Sequence, residues 1–193
     1  MNKEDTISAY ILCGGTNSRM QTEKGLIIYK GKTFIDWVID AIKPITNSIF
    51  LVTRNDDYKK FGYPLIPDTY PNKGPVGGIY TALLHTNTDT NIILSCDIPK
   101  ITSSVLKTYL VDKFDKSNTV LYVADNNRTY PLIGLYSKKL VTKFETAINN
   151  DHLKLVRLLE KINCKCVKTK PEDYNALQNI NTIEELKILI KNT

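Results

Sequence analysis

The chain has 193 residues, 42% of them hydrophobic and 24% charged, with a formal net charge of +6. That length suits one domain spanning 1–193, large enough to bury a core without disulfides. No stretch approaches the roughly 20 apolar residues of a membrane helix, and Met1–Asp5 has no hydrophobic signal core, so a cytoplasmic protein is expected. The lysines are scattered rather than clustered. The positive balance therefore fits either simple solubility or small phosphorylated ligands better than a nucleic acid.

The apolar run Ile7 to Leu12 ends at Gly14-Gly15, as a buried parallel strand would. In Thr33 to Ile42, Phe34, Trp37, Val38, Ala41 and Ile42 share one helix face; Thr33 can cap it, and Pro44 follows its end. Strands are expected at Ile49 to Val52, Tyr63 to Ile66 and Ile92 to Cys96, the last stopped by Asp97 and Pro99. A helix is expected at about Thr102 to Phe114, with Val105, Leu106, Tyr109 and Leu110 inward. Val120 to Ala124 and Tyr130 to Tyr136 flank the turn-rich Asp125-Asn126-Asn127-Arg128 and read as a hairpin.

Helices follow near Lys138 to Asn149 and His152 to Ile162, then a strand at Cys164 to Thr169. Thr182-Ile183-Glu184-Glu185 is a capping box that opens a C-terminal helix. Early strand–helix alternation with late strand additions predicts a three-layer α/β/α sandwich around a mostly parallel, Rossmann-like sheet. Cys13 and Cys96 fall within apolar strands. Cys164 and Cys166 are expected on opposite faces of theirs, which would leave them structural rather than metal-binding. His85 and His152 have no partner in the sequence and are expected at surfaces or helix ends.

Ligands of such sheets gather at the carboxyl ends of the strands. The loop after Leu12 and Asp97 after Cys96 would share that edge. Gly14 and Gly15 lack a Cβ, so backbone N–H groups there can approach phosphate oxygens. Arg19 offers a planar fork and Lys24 a mobile point charge for the same oxygens. This ordered set predicts a triphosphate site rather than an ordinary turn. A triphosphate travels with Mg²⁺, which takes one or two carboxylates plus phosphate oxygens, so Asp97 is the expected metal ligand. The loop Asp68 to Gly78 is read either as a wall of the nucleotide pocket or, at Gly77-Gly78, as tight helix-on-sheet packing. No nucleophile–histidine pair is present in the sequence pattern, which points to direct transfer.

Leu12-Cys13-Gly14-Gly15, Arg19-Met20 and Lys24-Gly25-Leu26 resemble the signature loop of the molybdenum cofactor guanylyltransferases. Gly74-Pro75-Val76-Gly77-Gly78, Cys96-Asp97-Ile98-Pro99, Tyr130-Pro131 and Asn179-Ile180-Asn181-Thr182 resemble that family's later motifs, in order along nearly the whole chain. The resemblance implies transfer of GMP from GTP to molybdenum-molybdopterin, giving the guanine dinucleotide cofactor and pyrophosphate. Arg19, Lys24 and Asp97 would be catalytic. Leu12, Cys13, Gly14, Gly15, Asp68 and Gly77 would join them around GTP, with Asn179 and Asn181 on the acceptor side. Small-molecule substrates, and transient contact with molybdopterin-handling or molybdoenzyme-maturation proteins, follow from the same resemblance.

Some positions depart from the family pattern. Cys13, Gln21, Glu23 and Tyr130 replace its usual alanine, glycine, aspartate and histidine. The region His152-Leu153-Lys154 lacks an arginine pair found in some members, and Lys154 is a substitute source of charge there. Val52-Thr53-Arg54 stands where many members carry a base-facing asparagine, so a cytidylyltransferase for the same pterin is a competing reading. Sugar-phosphate nucleotidyltransferases and a non-catalytic nucleotide carrier or regulator are more distant ones.

Overall fold

The computed structural model describes residues 7–14, 23–115 and 117–191. Its centre is a seven-stranded sheet: β1 (Ser8–Leu12), β4 (Ile49–Val52), β5 (Leu65–Ile66), β6 (Thr90–Ser95), β7 (Val120–Ala124), β8 (Thr129–Ser137) and β9 (Cys164–Lys168). The spatial order is β5-β4-β1-β6-β8-β7-β9, and every strand but β8 runs the same way. β2 (Ile28–Tyr29) and β3 (Lys32–Thr33) form a separate small hairpin.

Helices cover both faces, which is why the central strands read as unbroken apolar runs. Ala9 and Ile11 of β1 point toward α1 (Phe34–Ile42) and α3 (Ser103–Tyr109). Tyr10 and Leu12 point the other way, toward α2 (Gly74–His85), α4 (Val141–Asn149) and α5 (Leu155–Leu159). The C-terminal helix α6 (Ile183–Lys191) sits apart, with Leu189 packed on Phe34 and Ile180 beside the small hairpin. This is the three-layer α/β/α arrangement expected from the sequence. No helix among the described residues is long and apolar enough to cross a membrane.

The caps explain several boundaries. Thr33 and Asp36 close a reciprocal capping box on α1. At α6 the Thr182 hydroxyl accepts from the Glu185 N–H at 3.1 Å, and the Glu185 carboxylate accepts from the Thr182 N–H at 3.0 Å. The loop–helix junction at Gly74, with φ +57°, leads into Pro75 in the first turn of α2, where a missing N–H costs nothing.

Other boundaries differ from the sequence reading. The third strand is confined to Leu65–Ile66, because Pro64 and Pro67 bracket it and neither can donate to a ladder. The helix expected through Phe114 ends at Tyr109 and continues only as a 3₁₀ turn over Val111–Lys113. The next one opens with a 3₁₀ turn at Lys138–Leu140 before α4, and the one expected from His152 begins at Leu155. There Asp151 holds φ +55°, which no helix interior allows. The small β2–β3 hairpin was not anticipated. Its signal is Lys30-Gly31, whose φ values of 50° and 78° make the two-residue turn that suits twisted strands.

The expectation for Cys164 and Cys166 is corrected. Side chains two apart on a strand share a face. Both thiols lie beside Tyr122, whose partner in the ladder is Cys166. Burial first, and then these thiols, push the Tyr122 phenol up to about 12. Among the described residues no group of three or more His, Cys, Asp or Glu side chains is placed to hold a metal ion.

Candidate active site

The strand order turns back at β1: β4 and β5 lie to one side, while the chain crosses to β6 on the other. Such a reversal opens a crevice at the carboxyl ends of the strands. Leu12 and Ser95, the last residues of β1 and β6, are paired there. The Cys96 N–H donates to the Leu12 carbonyl at 3.2 Å, carrying the ladder one step further. The sheet therefore delivers Cys13-Gly14 and Asp97 to adjacent places on one edge.

Asp97 is the hub. Its Oδ2 lies 3.1 Å from Lys24 Nζ, and its Oδ1 accepts from Asn179 Nδ2 at 2.8 Å. Lys24 Nζ also donates to Asn181 Oδ1 at 2.5 Å, and Asn179 Nδ2 approaches Ser95 Oγ at 3.4 Å. The Ile180 N–H donates to the Asp97 carbonyl at 2.8 Å, which fixes both asparagines over the carboxylate. Lys24 and Asp97 are 18% and 11% exposed, so the pair is shielded yet reachable. Four residues separated by up to 157 positions in sequence thus form one polar cluster, and the capping box of α6 follows it directly.

Asp68 sits on the other side of Gly14. A Cβ placed on Gly14 would be 3.1 Å from Asp68 Oδ2, so a side chain at position 14 would crowd that carboxylate. Arg54, just past β4, donates to the Asp68 carbonyl at 2.6 Å. Burial pushes the Asp68 carboxyl up from its ordinary value, with the Arg54 charge opposing. The sequence reading did not single out Arg54 as a partner of Asp68. A cation directly beyond an apolar strand was its only signal.

Gly77 and Gly78 lie inside α2. A Cβ on Gly77 would meet the Lys73 Cβ at 2.9 Å and the Tyr70 carbonyl at 3.1 Å, and one on Gly78 would meet Leu12 Cδ1 at 3.1 Å. At Gly78 this is tight packing of helix on strand, whereas Gly77 packs on the loop that leads into α2. Leu12 is thus clamped between β1 and α2. Cys13 is buried, with its N–H on the Val52 carbonyl at 3.0 Å. Burial, and then the neighbouring Cys96, push its thiol well up, so it stays protonated and inert. Gly15 and Arg19 lie outside the described residues. His85 ends α2, as expected, and shares one hydrogen bond with the Tyr10 hydroxyl at 2.9 Å.

One carboxylate with neutral oxygens nearby suits Mg²⁺ when a triphosphate completes the shell. An ionised carboxylate has about four lone-pair sites, and Lys24 and Asn179 use two of them at Asp97. The donor set therefore fits such an ion.

A switch-point edge that brings together Gly14, a lysine and a carboxylate defines a nucleotide-handling α/β protein. Residues 9–167 match the family model described as the MobA-like NTP transferase domain. The chain belongs to that family and is a nucleotidyltransferase. It is 43% identical over 185 residues to a Flavobacterium johnsoniae protein named probable molybdenum cofactor guanylyltransferase, covering 96% of this chain and 97% of that one. A Vibrio vulnificus molybdenum cofactor guanylyltransferase is 33% identical over 91% of each chain. Among solved structures, an Aquifex aeolicus protein superposes with a TM-score of 0.79 at 27% identity, over 91% of this chain and 93% of that one. The fold is also that of molybdopterin-guanine dinucleotide biosynthesis protein A from Archaeoglobus fulgidus, with a TM-score of 0.81 at 22% identity over 96% and 97% of the two chains.

Proposed function

We propose that this nucleotidyltransferase moves GMP from GTP to the terminal phosphate of molybdenum-bearing molybdopterin, in the cytoplasm, and releases pyrophosphate. The observation that carries the reading is the Lys24–Asp97–Asn179–Asn181 cluster at the switch point. The name of the 43%-identical relative supports the acceptor. An acceptor phosphate oxygen would attack the α-phosphorus in line as the bond to the β-phosphate breaks, so no protein nucleophile is required. Lys24 would leave Asp97 for the phosphates and offset the charge that builds on the departing pyrophosphate. Asp97 would hold Mg²⁺, which neutralises triphosphate charge. Asn179 and Asn181 would orient the acceptor, so that the catalytic gain is mostly positioning.

The groups that would favour guanine over cytosine are the Arg54 guanidinium, which bonds the Asp68 main-chain carbonyl, and the Asp68 carboxylate. A guanidinium only donates, and an ionised carboxylate only accepts. Guanine's O6 and N7 accept and its N2 amino group donates, whereas cytosine offers a donor at N4 where guanine offers O6. The test is pyrophosphate release from each of the four nucleoside triphosphates, with molybdenum-loaded molybdopterin as acceptor. GTP alone should be consumed at a substantial rate. Preference for CTP would replace the reading with cytidylyl transfer, and no turnover with any of them would leave a carrier. Arg54→Ala should cut the GTP-over-CTP preference by about ten- to a hundredfold, the worth of one bidentate base contact.

A further inference from the structure

The short 3₁₀ turn Lys24–Leu26 that carries the site lysine has no side-chain cap of its own. It is held within itself by the Leu26 N–H on the Glu23 carbonyl at 3.0 Å and the Ile27 N–H on the Lys24 carbonyl at 3.2 Å. A unit closed in this way shifts as a whole, so whatever it rests on sets where Lys24 stands. It rests on Tyr58. A Cβ built on Gly25 would lie 2.5 Å from the Tyr58 hydroxyl, 3.0 Å from its Cε1 and 3.2 Å from its Cζ. The backbone at Gly25 therefore lies against the hydroxyl end of the phenol, closer than a residue with a Cβ allows. The same hydroxyl donates to Glu23 Oε2 at 3.5 Å, a long bond on the other shoulder of the turn.

Tyr58 is itself well fixed. It is fully buried, its ring packs 6.0 Å from that of Phe61, and its N–H donates to the Asn55 carbonyl at 3.3 Å in the turn that follows β4. The Asn55 side chain caps that turn by accepting from the Asp57 N–H at 2.9 Å. From this arrangement we infer that Tyr58 is a positioning residue for Lys24. Its hydroxyl seats the Glu23–Gly25 backbone and so sets the placement of the ammonium against Asp97 and Asn181. Tyr58 touches no reacting atom in this role. It acts through the turn.

The experiment compares Tyr58→Phe, Gly25→Ala and the double variant, measuring kcat and the KM for the nucleotide alongside the melting temperature. Tyr58→Phe should lower kcat about three- to tenfold, with KM within about twofold and the melting temperature nearly unchanged. Gly25→Ala should cost at least about fiftyfold, because the added methyl meets the hydroxyl. Removing that hydroxyl as well should restore at least about fivefold over Gly25→Ala alone. A double variant that merely multiplies the two losses would overturn the inference, as would full activity in Gly25→Ala. If Gly25→Ala does not fold, Glu23→Gln combined with Tyr58→Phe replaces it. Losses smaller than the product of the singles are then expected, and simple multiplication overturns the idea. Should the wild type prefer CTP, the guanine reading fails, and the same variants assayed with CTP still decide the role of Tyr58.

Discussion

Replacing Asp97 by asparagine keeps the shape and removes the charge. In the wild type each carboxylate oxygen faces a donor: Lys24 Nζ at 3.1 Å and Asn179 Nδ2 at 2.8 Å. An amide has only one acceptor oxygen. Whichever way it turns, its NH₂ must face either the ammonium or the Asn179 amide. The gross attraction lost between Lys24 and Asp97 is about 5 kcal/mol at this separation and an effective dielectric of about 20. Most of that is offset because an 18%-exposed lysine regains water and keeps Asn181. The net stability loss should be that of one charge-assisted hydrogen bond, about 1.5–3 kcal/mol. For a chain of this size that is a fall in melting temperature of about 3–12 °C. The loss of turnover should be larger, on the order of 10²–10³-fold, because charge stabilisation at the reacting phosphate goes with it. The assay pairs a thermal melt with pyrophosphate release at saturating Mg²⁺. Turnover within about tenfold of wild type, with the melting temperature lowered as expected, would reduce Asp97 to an anchor for Asn179 and Lys24.

Asp68 carries the opposite sign. Its folded-state carboxyl is raised by burial, so the native protein retains that proton where the unfolded chain has lost it. The stability it contributes is present below its unfolded value and is lost as pH rises through its folded one. Asp68→Asn should remove that slope, raise the melting temperature of the ligand-free protein at neutral pH and weaken nucleotide binding, with melts and calorimetric titration as readouts. Gly134→Ala should cost about 1–3 kcal/mol in a denaturant titration, because a Cβ there lies 2.8 Å from the Leu121 carbonyl, a backbone atom that cannot step aside. In a thiol count by alkylation, Cys166 should label first and Cys164 more slowly, while Cys13 and Cys96 react only after denaturation.

Much of the fold was legible because its signals are local. β1 and β6 read as buried strands because both of their faces are covered, α1 announced itself through the apolar spacing behind Thr33, and α6 through its capping box. Elements governed by tertiary contact were harder. The break after Tyr109 and the late start of α5 leave little mark on apolar spacing. The candidate site divides the same way. Lys24, Asp97, Asn179 and Asn181 could be named from motif and resemblance, and the structure brings these four together. That Arg54 meets the Asp68 carbonyl and that Tyr58 underlies Gly25 could not be read in advance, since each depends on where the chain goes after β4.

On the proposed reading, the pairing within the cluster constrains what a triphosphate would do on arrival. Lys24 is already paired with Asp97 and Asn181, so its positive charge is compensated rather than waiting bare. A nucleotide carrying Mg²⁺ would bring both replacements at once: phosphate oxygens for the lysine and a cation for the carboxylate. A nucleotide without the ion would compete for Lys24 while leaving Asp97 a negative neighbour at the same edge. On the proposed reading, then, GTP affinity should rise steeply with Mg²⁺ in the wild type. It should become nearly Mg²⁺-independent in Asp97→Asn, where no carboxylate charge remains to repel the phosphates or to hold the ion. Equal Mg²⁺ dependence in the two proteins, measured as GTP dissociation constants, would place the ion elsewhere than Asp97.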